Sequence, residues 1–197
     1  MPPANTNVNG ATAYLGRRIL LWGGGGKSTL SRELGTKLEL PVVELDALWH
    51  MPGWVQREPV EFRALTRDTL DVFEDGWIAD GQYVGALGGD LLEQIDTLIW
   101  LQLPFHTTFW RVFKRSVQRA LDKERICGDN TESWRQTFLS RDSLLLYLLN
   151  RRLFHHGESQ GIQERLLQEH GSQVRVIRLE SANALDRFYE VNGLVRE

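Results

Sequence analysis

Arg18-Ile-Leu-Leu-Trp22-Gly23-Gly24-Gly25-Gly26-Lys27-Ser28-Thr29-Leu30-Ser31-Arg32-Glu33-Leu34-Gly35 is the stretch on which the fold turns. A short run of apolar residues predicts a buried strand, and the apolar spacing after Lys27 predicts a helix. Between them stand four glycines followed by Lys-Ser-Thr. Glycines let main-chain N–H groups converge on phosphate oxygens, and the helix N-terminus adds its positive end. This is the organisation of a phosphate-binding P-loop, in which Lys27 reaches the terminal phosphates and the Ser28 hydroxyl takes a place on Mg²⁺. Gly23, Gly24, Gly25, Gly26, Lys27, Ser28 and Thr29 are therefore the expected nucleotide contacts. The usual pattern is G-x-x-x-x-G-K-[ST], and here the loop counted from the strand end is two residues short. Two extended residues span about 7 Å, a large part of a turn that must wrap a phosphate.

Working outward, four more strands are predicted at residues 41–45, 77–80, 97–101 and 174–179. Helical patterns lie between them at 27–38, 59–73, 106–121, about 131–149, 160–170 and 181–190. Strands separated by helices imply a three-layer α/β fold with a parallel sheet, and ligands in such sheets sit beyond the carboxyl ends of the strands. Residues 1–16 read as a loose tail, and 17–197 as one domain with a lid and helical insertion at about 106–157.

Two aspartates fall at strand ends. Asp46 closes Val43-Glu-Leu-Asp46, where it can cap the following helix or orient a hydroxyl nucleophile and accept its proton. Asp80 closes Trp77-Ile-Ala-Asp80 before Gly81, where it can make an Asp-Gly turn or hold Mg²⁺ or its waters together with Ser28. Trp54, Gly81 and Tyr83 join Asp46 as candidate acceptor-side residues, with Trp49 and His50 nearby. His155-His156 has no carboxylate or thiol at ligand spacing and reads as surface.

After the fourth strand, Arg111, Arg115 and Arg119 recur every four residues, on one face of a helix. They form either a solvated basic face or a clamp on transferring phosphoryl groups. Only four of the 23 basic residues are lysines, and three of those are Lys27, Lys114 and Lys123. Against 26 acidic residues the net charge is −3, which excludes a surface built throughout to grip nucleic acid. A single cysteine excludes disulfide scaffolding. The longest apolar run, residues 144–149, is far short of the ~20 residues needed to span a bilayer. A cytoplasmic protein is expected.

These residues together resemble the adenylate-kinase-like P-loop group, and within it the members labelled DNA topology-modulation proteins. The similarity runs over residues 17–189 and rests on the Gly-Lys-Ser-Thr loop, Leu45-Asp46-Ala-Leu, Pro52-Gly-Trp54, Trp77-Ile-Ala-Asp80-Gly, Asp96-Thr-Leu-Ile-Trp-Leu-Gln-Leu-Pro104 and Gly128-Asp-Asn-Thr-Glu-Ser133. The resemblance implies a five-stranded sheet in the order 2-3-1-4-5, ATP on the glycine loop, a lid after the fourth strand, and residues 179–183 beside the adenine. The chain departs from adenylate kinases, which carry Phe-Pro-Arg where Gln82-Tyr83-Val84 follow Asp80-Gly81. It departs from shikimate-type kinases in having Leu48 where they carry a second acid.

The expected function is an ATP-dependent phosphotransferase. It would move the γ-phosphoryl group of Mg-ATP to a small acceptor, with Lys27, Asp46, Arg111 and Arg115 catalytic and Arg119 on the nucleotide. The alternative is a nucleotide-binding module without kinase activity, degenerate or regulatory, with association with nucleic acid as a further reading, although no DNA-reading motif is visible.

Overall fold

The computed structural model describes residues 5–7, 15–122, 125–126, 130–131, 158–171 and 173–195. The expected helix at 131–149, His155-His156 and most of the lid beyond residue 122 lie outside them.

Six strands form one parallel sheet: β1 (Asn5–Asn7), β2 (Arg18–Gly23), β3 (Val42–Glu44), β4 (Trp77–Asp80), β5 (Thr97–Leu101) and β6 (Arg175–Leu179), in the order β1-β6-β5-β2-β4-β3. The sheet thus has one strand more than expected. The added edge strand, β1, pairs Asn5 with Val176 and comes from the segment read as a tail. At the centre, β2 pairs with β4 from Arg18↔Trp77 to Leu21↔Asp80 and with β5 from Ile19↔Thr97 to Gly23↔Leu101.

Alternate residues of each strand face opposite sides, so one sheet builds two cores. On one face Leu20, Trp22, Ala79, Leu98, Trp100 and Val176 pack with Leu45 of α2 (Leu45–Trp49), Phe62 and Leu70 of α3 (Pro59–Asp71) and Leu167 of the helix Glu158–His170. Trp22 and Trp100 meet edge to face there, 5.6 Å between centroids. On the other face Ile19, Leu21, Ile78, Ile99 and Ile177 pack with Leu30 and Leu34 of α1 (Lys27–Leu38) and with Leu185 and Phe188 of the last helix, Ala182–Val191. Pro59 opens α3 at its first turn, where its missing N–H is harmless, and the buried Phe62, Thr66 and Leu70 follow at four-residue spacing.

Two local readings of the sequence are corrected. The second strand ends at Glu44, and Asp46 lies in the first turn of α2 rather than at a strand end. Buried Leu45 begins that helix, so the switch from strand to helix comes two residues early. Between α2 and α3 a small hairpin, His50–Met51 with Val55–Gln56, turns through Pro52–Trp54. A four-residue helix, α4 (Val84–Leu87), follows β4, and α5 (Phe105–Asp122) follows β5. No helix among the described residues is long and apolar enough to cross a membrane.

Candidate phosphate site

The carboxyl ends of β2, β4 and β5 converge beside the N-terminus of α1. The chain leaves β2 at Gly23 (φ 112°) and enters α1 through Gly26 (φ 112°), both in the left-handed region that glycine adopts without penalty. Gly24 N–H still donates to Leu101 C=O at 3.3 Å, so the sheet holds the loop at its root. No side chain caps α1 and no acidic residue sits in its first turn. Its opening N–H groups and positive end are the kind an anion complements.

Lys27 folds back over the loop. Its Nζ donates to Gly23 C=O at 2.9 Å and stands 4.0 Å from Asp80 Oδ1. Asp80, 6% exposed, accepts from Ser31 Oγ at 3.4 Å and from the Ser28 hydroxyl. Burial pushes its carboxyl above the ordinary carboxylate value, against the opposing pull of Lys27 and the serine bonds, while the charge of Asp46 pushes the same way as burial. Lys27, Ser28 and Asp80 thus form one cluster, a hard oxygen pair beside an ammonium. A hydroxyl with a carboxylate is donor chemistry that suits Mg²⁺, which keeps several waters and takes few protein ligands. Among the described residues no group of three or more His, Cys, Asp or Glu could hold a metal ion by itself.

On the outer side of the loop a cleft of about 310 Å³ is lined by Gly25, Gly26, Ser28, Thr29, Arg32, Arg111, Val112, Arg115, Leu185 and Tyr189. Arg111 donates from Nη1 to Gly25 C=O at 3.3 Å. Arg111 and Arg115 therefore belong to the cleft wall. Arg119 lies on the same helix, but its side chain is outside the described residues. Arg32, from α1, adds a third guanidinium that the sequence pattern did not single out. Leu185 and Tyr189 of the last helix complete the lining. The Tyr189 hydroxyl is pushed up to about 12, chiefly by burial and then by Glu33, with Arg111 opposing.

The acceptor-side candidates divide. Tyr83 Oη donates to Asp46 Oδ1 at 2.6 Å, and the Tyr83 ring packs against Trp49 and Phe62. Asp46 is exposed, so one carboxylate oxygen is held by Tyr83 in a position open to solvent. Gly81 packs too closely on Leu45 for any side chain, a Cβ there falling 2.7 Å from Leu45 Cβ. Trp54 sits instead in the hairpin turn with φ 62°, its ring 5.3 Å from His50. The Asn130–Thr131 strand lies against that turn. Burial lowers His50 against the pull of Asp46.

One contact had no signal in the sequence: Gln82 Oε1 accepts the Gly23 N–H at 3.2 Å. It depends on where β4 stops, a boundary that residue pattern does not fix to one position.

A scan of family models found no match to this chain. A search of curated proteins found none either. Among solved structures the chain is similar to shikimate kinase from Bacteroides thetaiotaomicron, seen in a 1.7 Å crystal structure. The TM-score is 0.44 and the identity 19%, over 90% of this chain and 98% of that one. A likeness at that level carries no argument about activity, which rests on the site itself.

Proposed function

We propose that the chain is a P-loop phosphotransferase that passes a phosphoryl group from Mg-ATP to the hydroxyl of a small acceptor. The observation that supports it best is the meeting of Lys27, Ser28 and buried Asp80 at an uncapped helix start, with Arg111 on the glycine loop. Structural packing alone does not require a lysine, a serine and a carboxylate at that point.

Gly25, Gly26, Lys27 and Thr29 hold the phosphates through main-chain N–H groups, and Lys27 answers their charge. Ser28 and Asp80 are the residues that would hold the metal ion, directly or through water. Mg²⁺, when bound, neutralises charge on the phosphoryl oxygens. Arg111 and Arg115, with Arg32, face the same cleft and supply further positive charge where negative charge builds up. Asp46 keeps one carboxylate oxygen on Tyr83 and uses the other to orient the acceptor hydroxyl and take its proton. Most of the rate gain comes from positioning and charge neutralisation.

Isothermal titration with Mg-ATP tests the binding half: wild type binds and Lys27→Ala loses affinity by at least tenfold. A screen of hydroxylated metabolites for ADP release tests transfer. Binding without transfer to any acceptor replaces this reading by a nucleotide-binding module. No binding by wild type overturns both.

A further inference from the structure

Gln82 has no part in the chemistry above, yet it is tied to the loop from 59 positions away. The cause lies in the sheet. Parallel pairing of β2 with β4 ends at Leu21↔Asp80, where Gly81 N–H donates to Leu21 C=O at 3.4 Å. Main-chain groups alternate sides along a strand, so Gly23 is the next β2 residue whose N–H faces β4. By then β4 has ended. The Gln82 carboxamide oxygen stands where the next carbonyl of the ladder would be. Gly23 is the residue at which the loop departs (φ 112°), and its C=O is the acceptor for Lys27 Nζ. One residue is thus held at both polar groups, its N–H by Gln82 and its C=O by Lys27.

We propose that Gln82 is a positioning residue of the phosphate site: it fixes the Gly23 peptide and, through it, the Lys27 ammonium in a loop two residues shorter than usual. This rests on reading the loop as a phosphate site.

The test compares wild type, Gln82→Met, Gln82→Glu and Lys27→Ala in the full chain. Amide exchange of Gly23 is followed by NMR and Mg-ATP affinity by titration. Methionine keeps length and bulk but is only a weak acceptor, whereas glutamate keeps an acceptor oxygen at the same reach. In Gln82→Met the Gly23 amide exchanges at least tenfold faster with Leu20 and Leu21 unchanged, and Mg-ATP affinity falls about tenfold, the worth of roughly one hydrogen bond. Gln82→Glu restores slow exchange at Gly23, while its charge keeps affinity low. Wild-type exchange or wild-type affinity in Gln82→Met overturns the proposal, and so does fast exchange in Gln82→Glu. If wild type binds, Lys27→Ala does not, and Gln82→Met matches wild type, the Gln82 role alone fails. If wild type does not bind, the phosphate-site reading fails and the role falls with it.

Discussion

At the residue scale, the four glycines answer two demands at once. A Cβ on Gly23 would run into the Leu101 carbonyl, and one on Gly24 would lie 2.5 Å from Thr108 Cγ2. Gly25 is less confined, its nearest neighbour being Arg111 Cβ at 3.2 Å. The run is therefore shaped by the close approach of β5 and α5 as well as by any phosphate. Gly23→Ala, strained in φ and clashing with main chain, should cost about 2–4 kcal/mol in urea unfolding. Gly25→Ala should cost under about 1 kcal/mol, since an Arg111 shift of a few tenths of an ångström accommodates it. Equal costs would show that the loop is not held as described. The Lys27–Ser28 part of the site was legible in the sequence because it is a fixed spacing next to a strand. The Gln82–Gly23 bond was not, because it arises from one strand outrunning its neighbour.

At the scale of elements, the alternation of buried strands and amphipathic helices was legible because each period is long and strong. Short elements were not. The α2 turn holds five residues and the hairpin at His50 two residues per strand, too few to show a period. That is why Asp46 was expected on a strand. Helix ends that carry a cap are more robust. Ser181 Oγ accepts from Ala184 N–H at 3.1 Å and starts the last helix, whose Leu185 and Tyr189 wall the cleft. Ser181→Ala should cost about 1 kcal/mol in thermal or urea unfolding. Helix α5 buries Thr108, Val112 and Ser116 and turns Arg111 and Arg115 to the cleft, where the proposed nucleotide binding can be tested. Arg115 is exposed at the cleft rim, so Arg115→Ala should cost under about 1 kcal/mol in urea unfolding. It should weaken Mg-ATP binding about threefold to tenfold at low salt, and by less at high salt, where the charge is screened. An effect independent of salt would remove the guanidinium's charge from the account.

For the whole molecule, the issue is why a carboxylate is buried at the carboxyl end of a central strand. Asp80 ends β4 beside Leu21 and Glu44 of the flanking strands and against Lys27, Ser28 and Ser31, and burial raises its pKa above 3.8 despite Lys27 and the serine bonds. A raised folded-state value means the native chain holds the proton more tightly than the unfolded chain. The stability contribution is then fully present below pH 3.8 and is lost as pH rises through the folded value. Where it is ionised, the carboxylate weighs against the fold, and on the proposed reading its place beside Lys27 and Ser28 is what that cost serves. Asp80→Asn removes the charge and keeps the shape. In metal-free buffer at neutral pH it should raise Tm by about 2–4 °C, the shift expected of ~1 kcal/mol in a chain of this size. The gain should shrink as acid protonates the wild-type carboxyl and vanish below pH 3.8. The same variant should lose the Mg²⁺ dependence of nucleotide binding. A lower Tm at neutral pH would mean that the attraction of Lys27 outweighs burial, and Asp80 would then be a structural ion-pair partner rather than a strained metal ligand.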